Sequence, residues 1–153
     1  MISAVLITVF TRDEHFIRCV ESLQRCILAN KTHLFIASDE GRTDQEKAKV
    51  RKIRNHSQGL KTFKSVTILK RPHNVGQPSN SFLAFKEILC DHDRLIILED
   101  DVVVGKYFLE FLNNGLTKYY DDENICGVCA HLPPQIDNLK KKPFLGHLKK
   151  INK

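Results

Sequence analysis

Apolar residues fall into two patterns along this chain: short unbroken runs, and longer stretches with helical spacing. Residues 3–10 (SAVLITVF), 33–38 (HLFIAS), 65–70 (SVTILK), 94–98 (RLIIL) and 125–130 (ICGVCA) are short, largely apolar runs. Their length and β-branched content predict five strands, the first suited to burial on both faces and the second also buried. Between them, residues 14–29 carry Phe16, Val20, Leu23 and Ile27 on one side of a 3.6-residue period, which predicts an amphipathic helix ending near Asn30. Thr43-Asp44-Gln45-Glu46 has the form of a capping box and opens a charged helix to residue 55. A third helix over 79–89 is entered through Gly76-Gln77-Pro78, and a fourth over 106–120 carries Phe108, Leu109, Leu112, Leu116 and Tyr119. Strands alternating with helices need crossover connections. The expected fold is α/β, Rossmann-like, with a mostly parallel central sheet and helices on both faces.

Charge changes this picture only at one end. The net charge is +6, but six of the 24 basic residues (Lys140, Lys141, Lys142, Lys149, Lys150 and Lys153) lie in residues 140–153, where there is no acid. The remaining 18 balance the 18 acidic residues, so the body is neutral and no nucleic-acid partner is expected. We divide the chain into a folded domain over 1–132 and a lysine-rich, poorly ordered tail over 133–153. No apolar run approaches the roughly 20 residues of a membrane span. With no signal peptide visible, a cytoplasmic protein is expected, with the tail a candidate for a membrane surface. Five scattered cysteines do not suggest a disulfide framework. Cys126 and Cys129 form a CxxC inside a strand-like run, which reads as small buried thiols rather than a zinc or redox pair.

Ligands of open parallel sheets collect outside the carboxyl ends of the strands. Four polar clusters are expected there: Thr11, Arg12 and Asp13; Asp39, Glu40 and Gly41; Arg71, Pro72, His73 and Asn74; and Glu99, Asp100 and Asp101. Three adjacent carboxylates repel unless a cation offsets them. If the backbone stays extended, Glu99 and Asp101 share a face and offer two oxygen donors to a hard cation, Mg²⁺ or Mn²⁺. Such a cation would leave room for phosphate oxygens and offset charge on a leaving diphosphate. There is neither GxGxxG nor GxxxxGK[ST], which argues against dinucleotide redox and P-loop chemistry.

The motif order resembles the GT-A fold glycosyltransferases, especially family 2-like enzymes and the N-acetylglucosaminyltransferase I type. The resemblance is carried by residues 5–12 (VLITVFTR), 38–44 (SDEGRTD), 71–76 (RPHNVG), Asn80 and 97–104 (ILEDDVVV). It implies a nucleotide-sugar donor, a UDP-sugar by preference, and an acceptor of unknown identity. Thr8, Phe10 and Arg12 would line the nucleoside pocket, and Asp39 would accept from the base, typically uracil N3–H. Arg71 and Asn74 would lie beside the base and phosphates, Gly76 would permit a tight turn into the next helix, and Asn80 would join the nucleotide-sugar-binding set. Asp100 would contact ribose or sugar hydroxyls, Asp101 would ligate Mn²⁺ or Mg²⁺, and Glu99 would act behind it. The resemblance also places the general base in a downstream acceptor half. Residues 135–153 do not look like it, so no catalytic residue is assigned and the chain reads as truncated. Other readings are a non-catalytic nucleotide-sugar-binding remnant, a nucleotidyltransferase, and a basic-tailed module for nucleic acid or membrane surfaces.

Overall fold

The computed structural model describes residues 2–131. The lysine-rich tail lies outside the described residues. Among the described residues four strands are formed, β1 (Ala4–Val9), β2 (His33–Ser38), β3 (Ser65–Lys70) and β4 (Leu95–Glu99). They pair in parallel in the order β3-β2-β1-β4. Four α-helices of the same described residues alternate with them, α1 (Asp13–Gln24), α2 (Asp44–Gln58), α3 (Gln77–Ile88) and α4 (Phe108–Lys118). The α/β fold with a parallel sheet is as the pattern predicts.

Strand alternation divides the core into two layers. Val5, Ile7 and Val9 point to the side where Phe16, Val20 and Leu23 of α1, Ile53 of α2, and Leu109 and Leu112 of α4 pack. Ala4 and Leu6 point the other way, onto Ala84 and Ile88 of α3. Helices thus cover both faces, unequally. On the thinner side Ile97 of β4 is left 57% exposed.

Three sequence expectations are corrected. Residues 125–130 form no strand. Val128 packs against the core cluster and sits so close to α4 that a Cβ on Gly115 would come within 2.9 Å of its Cγ1. Cys126 and Cys129 on either side are exposed, not buried. A single anchoring side chain holds this segment, and no ladder of hydrogen bonds does so. Second, α1 stops at Gln24, five residues short of the predicted end. There Leu28 takes a left-handed conformation (φ 76°), and the Ile27 N–H is drawn to the Lys106 carbonyl at 2.9 Å. Third, β4 ends at Glu99 and the chain turns, Val102 N–H donating to the Glu99 carbonyl at 3.3 Å, so the acidic triplet does not stay extended.

The capping box forms as expected. Glu46 N–H donates to Thr43 Oγ1 at 3.2 Å and Thr43 N–H to Glu46 Oε2 at 3.3 Å. Arg42 also grips Glu46, with Nη2 2.6 Å from Oε1. These contacts, the Arg42 hydrogen bond foremost, pull the Glu46 carboxyl from 4.5 down to about 2. A group held below its unfolded value stabilises the fold above that value and stops doing so as pH falls through the folded one. Melting temperature should therefore decline between pH 4.5 and about 2 with a component that Glu46→Gln removes. Thermal melts of both proteins across that interval check this; parallel curves would exclude the effect.

Candidate functional site

Strand register sets where the chemistry gathers. Val9 pairs with Ser38, Ser38 with Lys70 and Thr8 with Glu99, so all four carboxyl ends finish at one edge. Because β2 and β3 lie on one side of β1 and β4 on the other, the chain reverses direction across the sheet at β1. That is the point where open α/β sheets form a ligand crevice.

A cleft of about 470 Å³ opens there. Of the residues expected from the sequence it brings together Thr8, Phe10, Arg12, Asp39, Asn74, Gly76, Asn80, Glu99 and Asp100. Val9, Thr11, Arg42 and Gln77 complete the lining. Arg42 and Gln77 were not singled out from the sequence. Arg42 reaches the cleft because its guanidinium sits 5.5 Å from the Phe10 ring centroid while Glu46 holds its other side. Its sequence signal is its place in the stretch 38–44, just after Asp39-Glu40-Gly41.

Asp39 is 3% exposed and organises the cleft wall. Its Oδ1 accepts from Glu40 N–H at 2.9 Å and Val75 N–H at 3.0 Å. Its Oδ2 accepts from Gly76 N–H at 2.9 Å and Asn74 Nδ2 at 3.2 Å. Two carboxylate oxygens thus gather four donors, and three come from the loop 74–76. Gly76 closes that loop at φ 78°, ψ 157°, a conformation that L side chains rarely adopt. Directly after it α3 begins with no side-chain cap and no acid in its first turn. Its positive end is open to the cleft at Gly76 and Gln77.

Arg71 stands apart from the cleft lining. It is 8% exposed, its Nε donates to Asn80 Oδ1 at 2.8 Å, and its Nη1 pairs with Glu87 at 2.5 Å. Asn80 in turn donates to the Ala37 carbonyl at 3.0 Å. Arg71 thereby ties α3 to the end of β3 from behind, and Asn80, which ties α3 to β2, shows one side to the cleft.

At the opposite wall the three acids diverge. Asp100 folds inward and is 4% exposed, whereas Glu99 and Asp101 are exposed. Arg12 ties Asp100 and Asp101 together, through Nη2 to Asp100 Oδ1 and through Nη1 to Asp101 Oδ2 at 2.9 Å. Burial holds the Asp100 carboxyl above the usual range; Arg12 opposes that rise and Asp101 adds to it. Beneath them burial, with help from Asp100 and Asp101, pushes the Cys19 thiol up to about 12, which leaves it an inert core group. Asp101 itself lies outside the lining and is joined to it through Arg12.

No known family's sequence profile matches the chain, and no curated protein matches it. Solved structures do. The glycosyltransferase TarS of S. aureus, residues 1–349, superposes with a TM-score of 0.58 at 16% identity, over 78% of this chain and 33% of that one. The same protein in complex with UDP gives 0.57 at 16% identity over the same shares. A longer TarS structure gives 0.58 at 17% identity, over 85% of this chain and 23% of that one. This chain has a GT-A-like glycosyltransferase fold and spans a third or less of the length of these structures. Among the described residues no helix is long and apolar enough to cross a membrane.

Proposed function

We propose that this domain binds a nucleotide-sugar, a UDP-sugar by preference, as the donor side of a family 2-like glycosyltransferase. The observation that carries the reading is the cleft at the strand reversal, where an uncapped helix N-terminus faces an acidic turn across one cavity. A nucleoside diphosphate has the matching chemistry. Phe10 and Arg42 offer a flat aromatic and cationic surface to a base. The α3 N-terminus and Gln77 offer positive potential to phosphates. Asn74 Nδ2, the longest of the four donors on Asp39, also donates to the Glu40 carbonyl at 2.9 Å. It is therefore the donor that yields if a base N–H comes to Asp39.

The acidic turn also fits a hard cation. Among the described residues no three His, Cys, Asp or Glu side chains form a ready metal cluster. Asp100 and Asp101 nonetheless share a single cation, the Arg12 guanidinium, which marks the turn as a place for positive charge. Mg²⁺ and Mn²⁺ are often held by one or two carboxylates plus substrate phosphates, so a two-acid turn suffices. Asp101, the more exposed partner, would be the direct ligand and Glu99 its support. Bound there, the metal would offset charge on the departing diphosphate. Asp100, buried under Arg12, would orient a ribose or sugar hydroxyl by accepting a hydrogen bond from it.

Isothermal titration of the protein with UDP and Mn²⁺ tests the proposal. Saturable binding is expected, weakened but still measurable on chelation and weakened at least about tenfold by Asp101→Ala. Heats indistinguishable from dilution at millimolar UDP, with and without Mn²⁺, would remove the sugar-donor reading altogether.

A further inference from the structure

Within that reading, we infer that Arg12 is a resident counter-cation of the acidic turn, which gives up Asp101 when a divalent metal and diphosphate arrive. The two ion pairs of Arg12 are unequal. Its partner Asp100 has a side chain 6% exposed, while Asp101 is 37% exposed and Arg12 itself 53%. The outer bond is therefore open to water and salt, and such pairs are held weakly. The inner bond is shielded on one side and carries the charge of a buried carboxylate, which is costly to leave alone. A cation approaching the turn from solvent meets the outer pair first, since Asp101 is the exposed acid of the two.

The position of Arg12 makes the exchange local. It is the residue before α1, where its carbonyl accepts from Phe16 N–H at 3.0 Å and anchors the backbone. Movement of the guanidinium thus needs only side-chain rotation. The side chain lines the cleft that also holds Gln77 and the α3 N-terminus. Once Nη1 leaves Asp101 it is a donor facing the space that phosphate oxygens would fill, while Nη2 stays on Asp100. Arg12 consequently opposes a metal that comes alone and assists a diphosphate.

Those two effects have opposite signs, and that separates the idea from a structural one. Mn²⁺ alone and UDP alone in EDTA should each be titrated calorimetrically into the wild-type chain, Arg12→Ala and Arg12→Lys, with melting temperatures recorded. Arg12→Ala is expected to bind Mn²⁺ about fivefold more tightly and metal-free UDP about fivefold more weakly, the scale of one exposed ion pair. Arg12→Lys, which keeps a charge but loses the fork, should fall between. If Arg12 merely props the turn, both affinities and the melting temperature fall together, and the inference is overturned. It is equally overturned if Mn²⁺ affinity is unchanged, or undetectable in all three proteins. Tighter Mn²⁺ binding by Arg12→Ala with no UDP binding by any of the three, whether in EDTA or in Mn²⁺, would sustain the counter-cation and remove the nucleotide-sugar reading.

Discussion

Replacing Gly41 with alanine is expected to be among the most damaging single changes in the domain, costing about 3 kcal/mol or more. A Cβ built there would lie 2.4 Å from the Lys47 backbone nitrogen, 2.7 Å from the Glu46 carbonyl carbon and 2.8 Å from Lys47 Cα. All three obstacles are main chain in the first turns of α2, so no side-chain rotation relieves them. Overpacking against yielding side chains typically costs about 1–3 kcal/mol, and an unyielding helix backbone belongs at or above the top of that range. The displacement would also reach the cleft, because the same turn carries the capping box and the Arg42 that sits over Phe10. Gly59 is the internal control. It closes α2 at φ −80°, and the nearest atom to an added Cβ is the His56 carbonyl oxygen at 3.4 Å. Alanine fits that backbone, and with fewer unfolded conformations to lose, Gly59→Ala should be neutral or gain up to about 1 kcal/mol. Urea unfolding of both variants checks the pair. A Gly41→Ala midpoint matching that of Gly59→Ala would contradict the close approach on which the cleft wall depends.

What the chain betrays in advance follows from which signals are local. The two central strands, β1 and β2, are the most apolar and most buried runs, the edge strands β3 and β4 are less covered, and the order of all four along the chain is enough to imply crossovers. Thr43 and Glu46 also announce themselves, since a capping box is complete within four residues. The fifth run is different. Residues 125–130 are as apolar as a strand, but pairing requires a neighbouring backbone, and local composition does not say whether one is in reach. Ile27 continues the helical period of α1 although the chain has left the helix, because a tertiary bond to Lys106 ends it. The site shows the same division. Thr8, Phe10, Arg12, Asp39, Asn74, Gly76, Asn80, Glu99 and Asp100 converge because strand ends must converge. Which way an arginine turns at such an end is set by partners elsewhere. Arg71 faces Asn80 and Glu87 behind the wall, while Arg42, in the stretch 38–44 but without an assigned role there, faces the cavity.

Asp39 should prove to be a support of the cleft first and a reader of the nucleobase second. Asp39→Asn is expected to lower stability by about 2–4 kcal/mol. Four donors converge on two oxygens, and an amide keeps only one of those oxygens as an acceptor. Whichever way it is turned, its NH₂ faces a backbone N–H, and a buried donor without a partner costs about 1–3 kcal/mol. The loop 74–76 then loses its tether just where Gly76 sets the start of α3, so the phosphate side of the cleft should loosen whatever base is attached. Affinity for UDP and for CDP is accordingly expected to fall together, by about tenfold or more for each. A direct reader predicts another outcome. Uracil N3–H donates, whereas cytosine N3 accepts, so an asparagine that had only exchanged an acceptor for a donor would lose UDP and gain CDP. Calorimetric titration of both nucleotides, alongside urea unfolding of the variant, distinguishes the two. A switch of preference toward CDP at undiminished stability would make Asp39 the specificity residue and leave the loop to be held by its own backbone.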